Sequence, residues 1–203
     1  MITILIILAT AAVSIACFYK QEMLRKFIFN AYATWHSKQW WRMLSYGVVH
    51  GGWGHLIFNM LTLYFFGTVV EQYFAGIWGT GGGALLYLVF YVTALAASTI
   101  LDLVKHKDDW NYNALGASGA VSAVLFASIL FEPTMGIYIY LIPIPVPGWL
   151  FAPLYLLYCW WMAKRGQDNI GHTAHFTGAV YGLLFPLLLK PQIFLHFLNQ
   201  LGL

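Results

Sequence analysis

Three groups of polar residues sit inside otherwise apolar stretches, and each can do chemistry. His55 and Asn59 are four residues apart, so on a helix they share one face, with Thr62 and Phe66 continuing the stripe. An imidazole beside a carboxamide presents N–H donors; the same pair also serves as hydrogen-bonding glue between membrane helices. Gly116-Ala117-Ser118-Gly119 places a hydroxyl between two glycines. Ser118 is then a nucleophile or a small packing residue, a role that Gly119 and Ser122 fill by size alone. The tetrapeptide is not the Gly-x-Ser-x-Gly elbow of soluble hydrolases, which needs a strand, a turn and a helix. His175, Gly178 and Gly182 are spaced three and four apart and share a face. The two glycines let another backbone approach, and His175 at the end of that stripe is delivered to the neighbour. His172 reads as a loop residue or a helix-start hydrogen bonder.

The three groups complement one another. Amide hydrolysis needs a nucleophile, a base and donors for the oxyanion. Ser118, His175 and the His55/Asn59 pair supply one of each. No acidic residue lies beside either histidine in sequence, which points to a Ser–His dyad. A zinc site made from His50, His55, His172 and His175 is the rival use of the histidines. That rival lacks a His-Glu-x-x-His signature or a nearby carboxylate base. A transport or binding role leaves Gly116–Gly119 without a purpose. No cofactor and no metal are expected.

The elements that hold these residues belong in a bilayer. Of the 203 residues, 61% are apolar and 8% charged, against about 25% charged in ordinary soluble domains. Ten Lys and Arg and seven Asp and Glu cannot cover a water-soluble globule of this length. A net charge of +3, dispersed along the chain, gives no nucleic-acid footprint. Apolar runs at Ile2–Tyr19, His55–Tyr73, Gly83–Leu101, Ala114–Phe131, Gly148–Ala163 and Gly171–Leu189 predict six spanning helices. The expected fold is all-α: a polytopic membrane protein, a bundle of six transmembrane helices, with 1–203 forming a single domain. No basic residue precedes Lys20, so the first run is expected as an uncleaved helix rather than a signal peptide. Cys17 and Cys159 lie in apolar runs and read as small buried hydrophobes.

The connections carry signals too. Lys20–Gly54 is long, polar and rich in tryptophan (Trp35, Trp40, Trp41, Trp53), which places it in the headgroup zone, partly folded. Gly79–Gly83 predicts a flexible turn and Lys105–Asn113 a polar loop. Pro143, Pro145 and Pro147 forbid a continuous helix through Thr134–Pro147, which is expected as extended chain at the membrane rim.

In this order, on successive hydrophobic segments, the motifs resemble those of the rhomboid intramembrane serine proteases. The likeness runs from Trp41-Arg42 through His50, His55-Leu56-Ile57-Phe58-Asn59, Gly67 and Glu71 to Gly116-Ala117-Ser118-Gly119. It ends in Ala174-His175-Phe176-Thr177-Gly178-Ala179-Val180-Tyr181-Gly182. The resemblance implies Ser118 as nucleophile and His175 as general base. It implies an oxyanion site of His55, Asn59 and the Ser118 N–H, with Trp41 and Arg42 anchoring the first loop. His50 and Glu71 would be structural, and Gly116, Gly119, Gly178 and Gly182 would support close packing. The implied partners are the lipid bilayer and membrane-protein substrates whose single transmembrane helix unwinds near small residues. One departure stands out: many members carry Tyr or Phe four residues after the nucleophile, stacked on the catalytic histidine, where this chain has Ser122. The chain corresponds to the minimal six-helix core.

The resemblance further implies a multi-pass protein of a bacterial plasma membrane, with its active site on the outer side. The charge pattern opposes that orientation. Lys20, Arg25, Lys26, Lys38, Arg42, Lys105, Lys107, Lys164 and Arg165 would all lie outside and only Lys190 inside, against the positive-inside rule. Two further functions stay open: a catalytically weak or inactive rhomboid-like protein that binds membrane clients, and a His-lined metal-binding or transport protein.

Overall fold

The computed structural model describes residues 1–139, 144–166 and 170–203. The first apolar run forms α1, Ile2–Tyr19. Short elements then fold the polar connection: α2 (Gln21–Phe27), strand β1 (Phe29–Asn30), α3 (Ala31–His36) and α4 (Arg42–Ser45). Two long helices follow, α5 (Trp53–Trp78) and α6 (Thr80–His106), then strand β2 (Asn113–Ala114) and α7 (Ser118–Phe131). Strands β3 (Gly136–Ile137) and β4 (Val146–Pro147) precede α8 (Gly148–Arg165), α9 (His172–Leu189) and α10 (Ile193–Gln200).

The outside is apolar: Leu5, Leu8, Phe65, Leu85, Leu157 and Leu188 are each at least half exposed. Side chains of this kind in such numbers are at home against hydrocarbon. By length and composition α1, α5 and α6 can each cross a membrane, and α9 with α10 qualifies as a pair bent by 115°. The bend falls at Lys190–Gln192, where Pro191 cannot donate to the helix ladder. All six expected segments are helical, but α7 is too short for that measure and α8 is not apolar enough. Length and composition therefore account for fewer crossings than the six expected.

α7 is the central helix. Every residue from Gly119 to Phe131 is buried, enclosed by α5, α6, α8 and α9. Its 14 residues span about 21 Å, against about 30 Å of hydrocarbon. Gly116 and Ala117, which lead into it, are buried as well, so Ser118 begins its helix inside the protein. At the other end His196 of α10 meets the Phe131 carbonyl at 2.9 Å, covering one of the open acceptors of that terminus.

Several boundaries differ from the sequence reading, α5 among them, which runs from Trp53 to Trp78 rather than from His55 to Tyr73. α7 starts at Ser118 rather than Ala114, because Ala114 pairs with Phe29 in the β1–β2 ladder and Gly116 has φ +105°. Of the expected turn Gly79–Gly83, only Gly79 breaks the chain (φ +79°); Thr80–Gly83 already belong to α6. A Cβ at Gly83 would collide with the Phe74 carbonyl, so this glycine serves the close approach of α5 and α6. α6 also runs on through Lys105 and His106, shortening the polar loop. β3 and β4 make Thr134–Pro147 a small hairpin-like ladder at its ends; Pro143 lies outside the described residues.

Candidate active site

The alternation of helices brings the ends of α1 and α6 and the beginnings of α5, α7 and α9 to one end of the bundle. The first contact that matters is between α7 and α9. A Cβ at Gly178 would strike the Gly119 carbonyl, and one at Gly182 the Ala123 carbonyl. Gly119 is itself hemmed in by Ser98 of α6 and by the Ala174 carbonyl, 3.1 Å from where its Cβ would be. The two backbones are therefore in contact, one residue from Ser118 and three from His175. Both side chains are half-buried, in the first turns of their helices. Among the described residues the Ser118 hydroxyl makes no hydrogen bond.

α5 supplies the second part. A Cβ at Gly116 would lie 2.5 Å from Cε1 and 2.6 Å from Nε2 of His55. The imidazole thus sits on the backbone two residues before Ser118. Gly51 N–H reaches His55 Nδ1 at 3.4 Å, which assigns Nδ1 as acceptor and leaves the proton on Nε2, the edge turned toward Gly116. Asn59 is buried and donates from its amide to the His55 carbonyl at 2.8 Å. One of its two N–H groups is thereby committed to its own helix. The Ser118 N–H stands in the first turn, where no carbonyl of the helix can accept it. These donors share a region at the positive end of the α7 dipole.

His50 ties this region to α1. It is fully buried, with Nδ1 2.9 Å from Ser14 Oγ, while Nε2 accepts the Ala117 N–H at 3.4 Å. Ser14 in turn donates to the Val48 carbonyl at 2.9 Å. The network assigns the proton to Nδ1. Burial, and then the charge of His55, hold the ionisation of His50 down to about 3. Its ring stands edge-on to His55 at 4.9 Å.

The polar connection is fastened by Arg42 and Asn30. Arg42 donates to Gln39 Oε1 and the Ile28 carbonyl, both at 2.6 Å, and to the Arg25 carbonyl at 3.2 Å. Trp41, its expected co-anchor, is more than half exposed. Asn30, which the sequence did not single out, accepts from Ala33 N–H at 2.7 Å. Its amide donates to the Trp110 carbonyl at 3.0 Å and to Asn113 Oδ1 at 3.1 Å. Glu71 lies at the far end of the bundle and accepts three bonds from the start of α1.

Ser122 pairs with Tyr155 of α8 at 3.0 Å. His172 starts α9, buried, with Tyr158 edge-on at 5.5 Å. The four-histidine set does not assemble. Among the described residues the one group of three or more metal-ligand side chains is Cys159, His172 and His175. Cys159 was missed because its place beside α9 depends on how α8 packs, which no spacing in the sequence records. Asp102 is the one buried acid among the described residues, and its carboxylate lies against Tyr112 and Thr173.

A profile of the Rhomboid domain matches residues 37–192. The chain is 28% identical over 169 residues to "RHOMBOID-like protein 12, mitochondrial" of Arabidopsis thaliana, covering 80% of this chain and 50% of that protein. It is 31% identical over 151 residues to "Rhomboid protease GluP" of Bacillus subtilis (strain 168), covering 70% of this chain and 25% of that one. A chloroplastic Arabidopsis protein, "Rhomboid-like protein 11", is 30% identical over 93 residues, which are 46% of this chain and 30% of the relative. The chain thus spans about half the length of the first relative and a quarter of the second. Two of the three carry organelle names, which does not support the bacterial plasma membrane expected above. The apolar helices and the matched domain make it a multi-pass membrane protein, and the chain belongs to the rhomboid family.

Proposed function

We propose that this chain is an intramembrane serine endopeptidase that cleaves peptide bonds in or beside the transmembrane helix of membrane-protein substrates. The observation that carries the reading is the backbone contact of Gly119 with Gly178, which sets the first turn of α9 against that of α7. Neutral His175 takes the Ser118 proton as Oγ attacks the scissile carbonyl, then returns it to the leaving amine. His55 Nε2–H, the remaining Asn59 N–H and the Ser118 N–H stabilise the oxyanion. Each such donor is typically worth about 3–4 kcal/mol when removed. The substrate helix unwinds locally, because helical hydrogen bonding hides its amides. The active end faces the side opposite the start of α1.

The name of the Bacillus relative, a rhomboid protease, supports this reading. A second reading, client binding without cleavage, is favoured by the Ser118 hydroxyl, which makes no hydrogen bond among the described residues. Labelling of purified protein with a fluorophosphonate probe separates them. Wild type should label and cleave a model transmembrane substrate, and Ser118→Ala should do neither. Wild type that binds substrates without labelling or cleavage makes the client-binding reading the correct one.

A further inference from the structure

Cys159 of α8 converges with His172 and His175 of α9. One ligand atom from each, Sγ and two imidazole nitrogens, lies within 4.8 Å of the others. Cys159 is fully buried, His172 nearly so, and His175 half-buried. The two imidazoles meet at 74° with centroids 6.1 Å apart. Tetrahedral zinc with one sulfur and two nitrogen ligands needs those atoms about 3.3–3.6 Å apart. Closing that gap takes a shift of roughly 1 Å shared among the three side chains. The Tyr155 hydroxyl lies beside the Cys159 thiol, where it can donate to a bound thiolate and orient it.

We propose that Cys159, His172 and His175 form a site for a thiophilic divalent cation of the zinc class, and that filling it switches off the Ser118 chemistry. One thiolate and two neutral imidazoles are a donor set suited to such ions. The thiol proton leaves to solvent as the metal binds, and no redox change accompanies it. Coordination occupies the one lone pair by which neutral His175 could accept a proton. This second half rests on the protease reading; the site itself does not.

The test uses full-length protein in detergent, stripped of metal and titrated with Co²⁺ and Zn²⁺ by equilibrium dialysis. One equivalent should bind per chain, with a thiolate-to-cobalt charge-transfer band. The band should vanish in Cys159→Ala, and binding should weaken at least tenfold in His172→Ala. Cys17→Ala should behave as wild type. Circular dichroism and melting temperature show that each variant is folded, and Cys159→Ser is the fallback should Cys159→Ala fail that check. Zinc should slow fluorophosphonate labelling of Ser118 more than tenfold in wild type and leave it unchanged in Cys159→Ala. No binding, or binding indifferent to Cys159, overturns the site. Binding that leaves labelling untouched overturns the coupling, as does activity lost on chelation and restored by zinc. Protein that binds cobalt through Cys159 yet never labels, with or without zinc, upholds the site and defeats only the protease reading.

Discussion

The imidazole of His55 rests on the backbone of Gly116, so close that a Cβ there would lie 2.5 Å from the ring. Gly116 also holds φ at +105°, a conformation that costs an L-residue roughly 1–2 kcal/mol. Gly116→Ala therefore strains the entry to α7 and pushes His55 off its seat. We expect kcat to fall about 10–100-fold, since misplacing a catalytic group by about 1 Å has that effect, together with a lower melting temperature. Unchanged kcat would remove the His55–Gly116 contact from the mechanism.

Ser118 and His175 act as one unit in the proposed reaction. Ser118→Ala and His175→Ala should each abolish cleavage while the protein stays folded. The double variant should be hardly worse than either single, because members of a nucleophile–base pair are grossly non-additive. Comparing the three residual rates with the wild type checks this. Near-wild-type turnover by either single variant dismisses the dyad.

The two side chains proposed as oxyanion donors are not equivalent. Asn59 already donates to the His55 carbonyl at 2.8 Å, whereas His55 turns Nε2 toward Gly116. Asn59→Ala should lower kcat by about 10–1,000-fold with little change in KM, and His55→Ala should cost more. Kinetics and melting temperatures measured in one detergent decide the matter. A melting loss with kcat preserved would reduce the pair to interhelical glue.

Much of this was legible in the sequence. The apolar runs marked six helices, with α1 correct at both ends, because hydrocarbon selects composition directly. The glycine spacing of α9 foretold a close backbone approach, because only glycine admits two backbones so closely; that the neighbour is α7 comes from the packing. What the sequence hid depends on packing between distant segments. Asn30 joins β1 to the segment before α7 across 80 residues or more. Cys159 reaches the histidines only through the docking of α8 on α9. α10 escaped notice because a short amphipathic segment after Pro191 carries no spanning signal. Ser122 was read as a missing aromatic; in place, it is the partner of Tyr155.

Acid should act through His50. Its ionisation falls from an ordinary value of 6.5 to about 3 on folding, so the unfolded chain binds the proton first. Its contribution is fully present above pH 6.5 and is lost as pH falls from there toward about 3, at up to about 1.4 kcal/mol per pH unit. Melting temperatures across that window should fall less steeply in His50→Gln than in wild type. Parallel slopes would show that His50 is not the group being titrated.

Glu71 offers a test of stability apart from chemistry. Its carboxylate accepts the Ile2 N–H at 2.6 Å, the Thr3 N–H at 3.0 Å and the Thr3 hydroxyl at 2.7 Å. It therefore caps α1 from a neighbouring helix and sets a negative charge at the positive end of its dipole. A glutamine there keeps one acceptor oxygen and turns an amide toward donors. Charge-assisted bonds contribute about 1.5–3 kcal/mol each, so Glu71→Gln should lower stability by about 2–3 kcal/mol. Ser118 lies at the opposite end of the bundle, and α1 stays fastened there through Ser14 and His50. The kcat of the folded fraction should therefore remain within about twofold of wild type, whereas a catalytic loss would exceed tenfold. Melting temperature and kcat on the same preparation read both effects. A large drop in kcat at unchanged melting temperature would mean that Glu71 serves the active end, and that α1 transmits its state across the membrane.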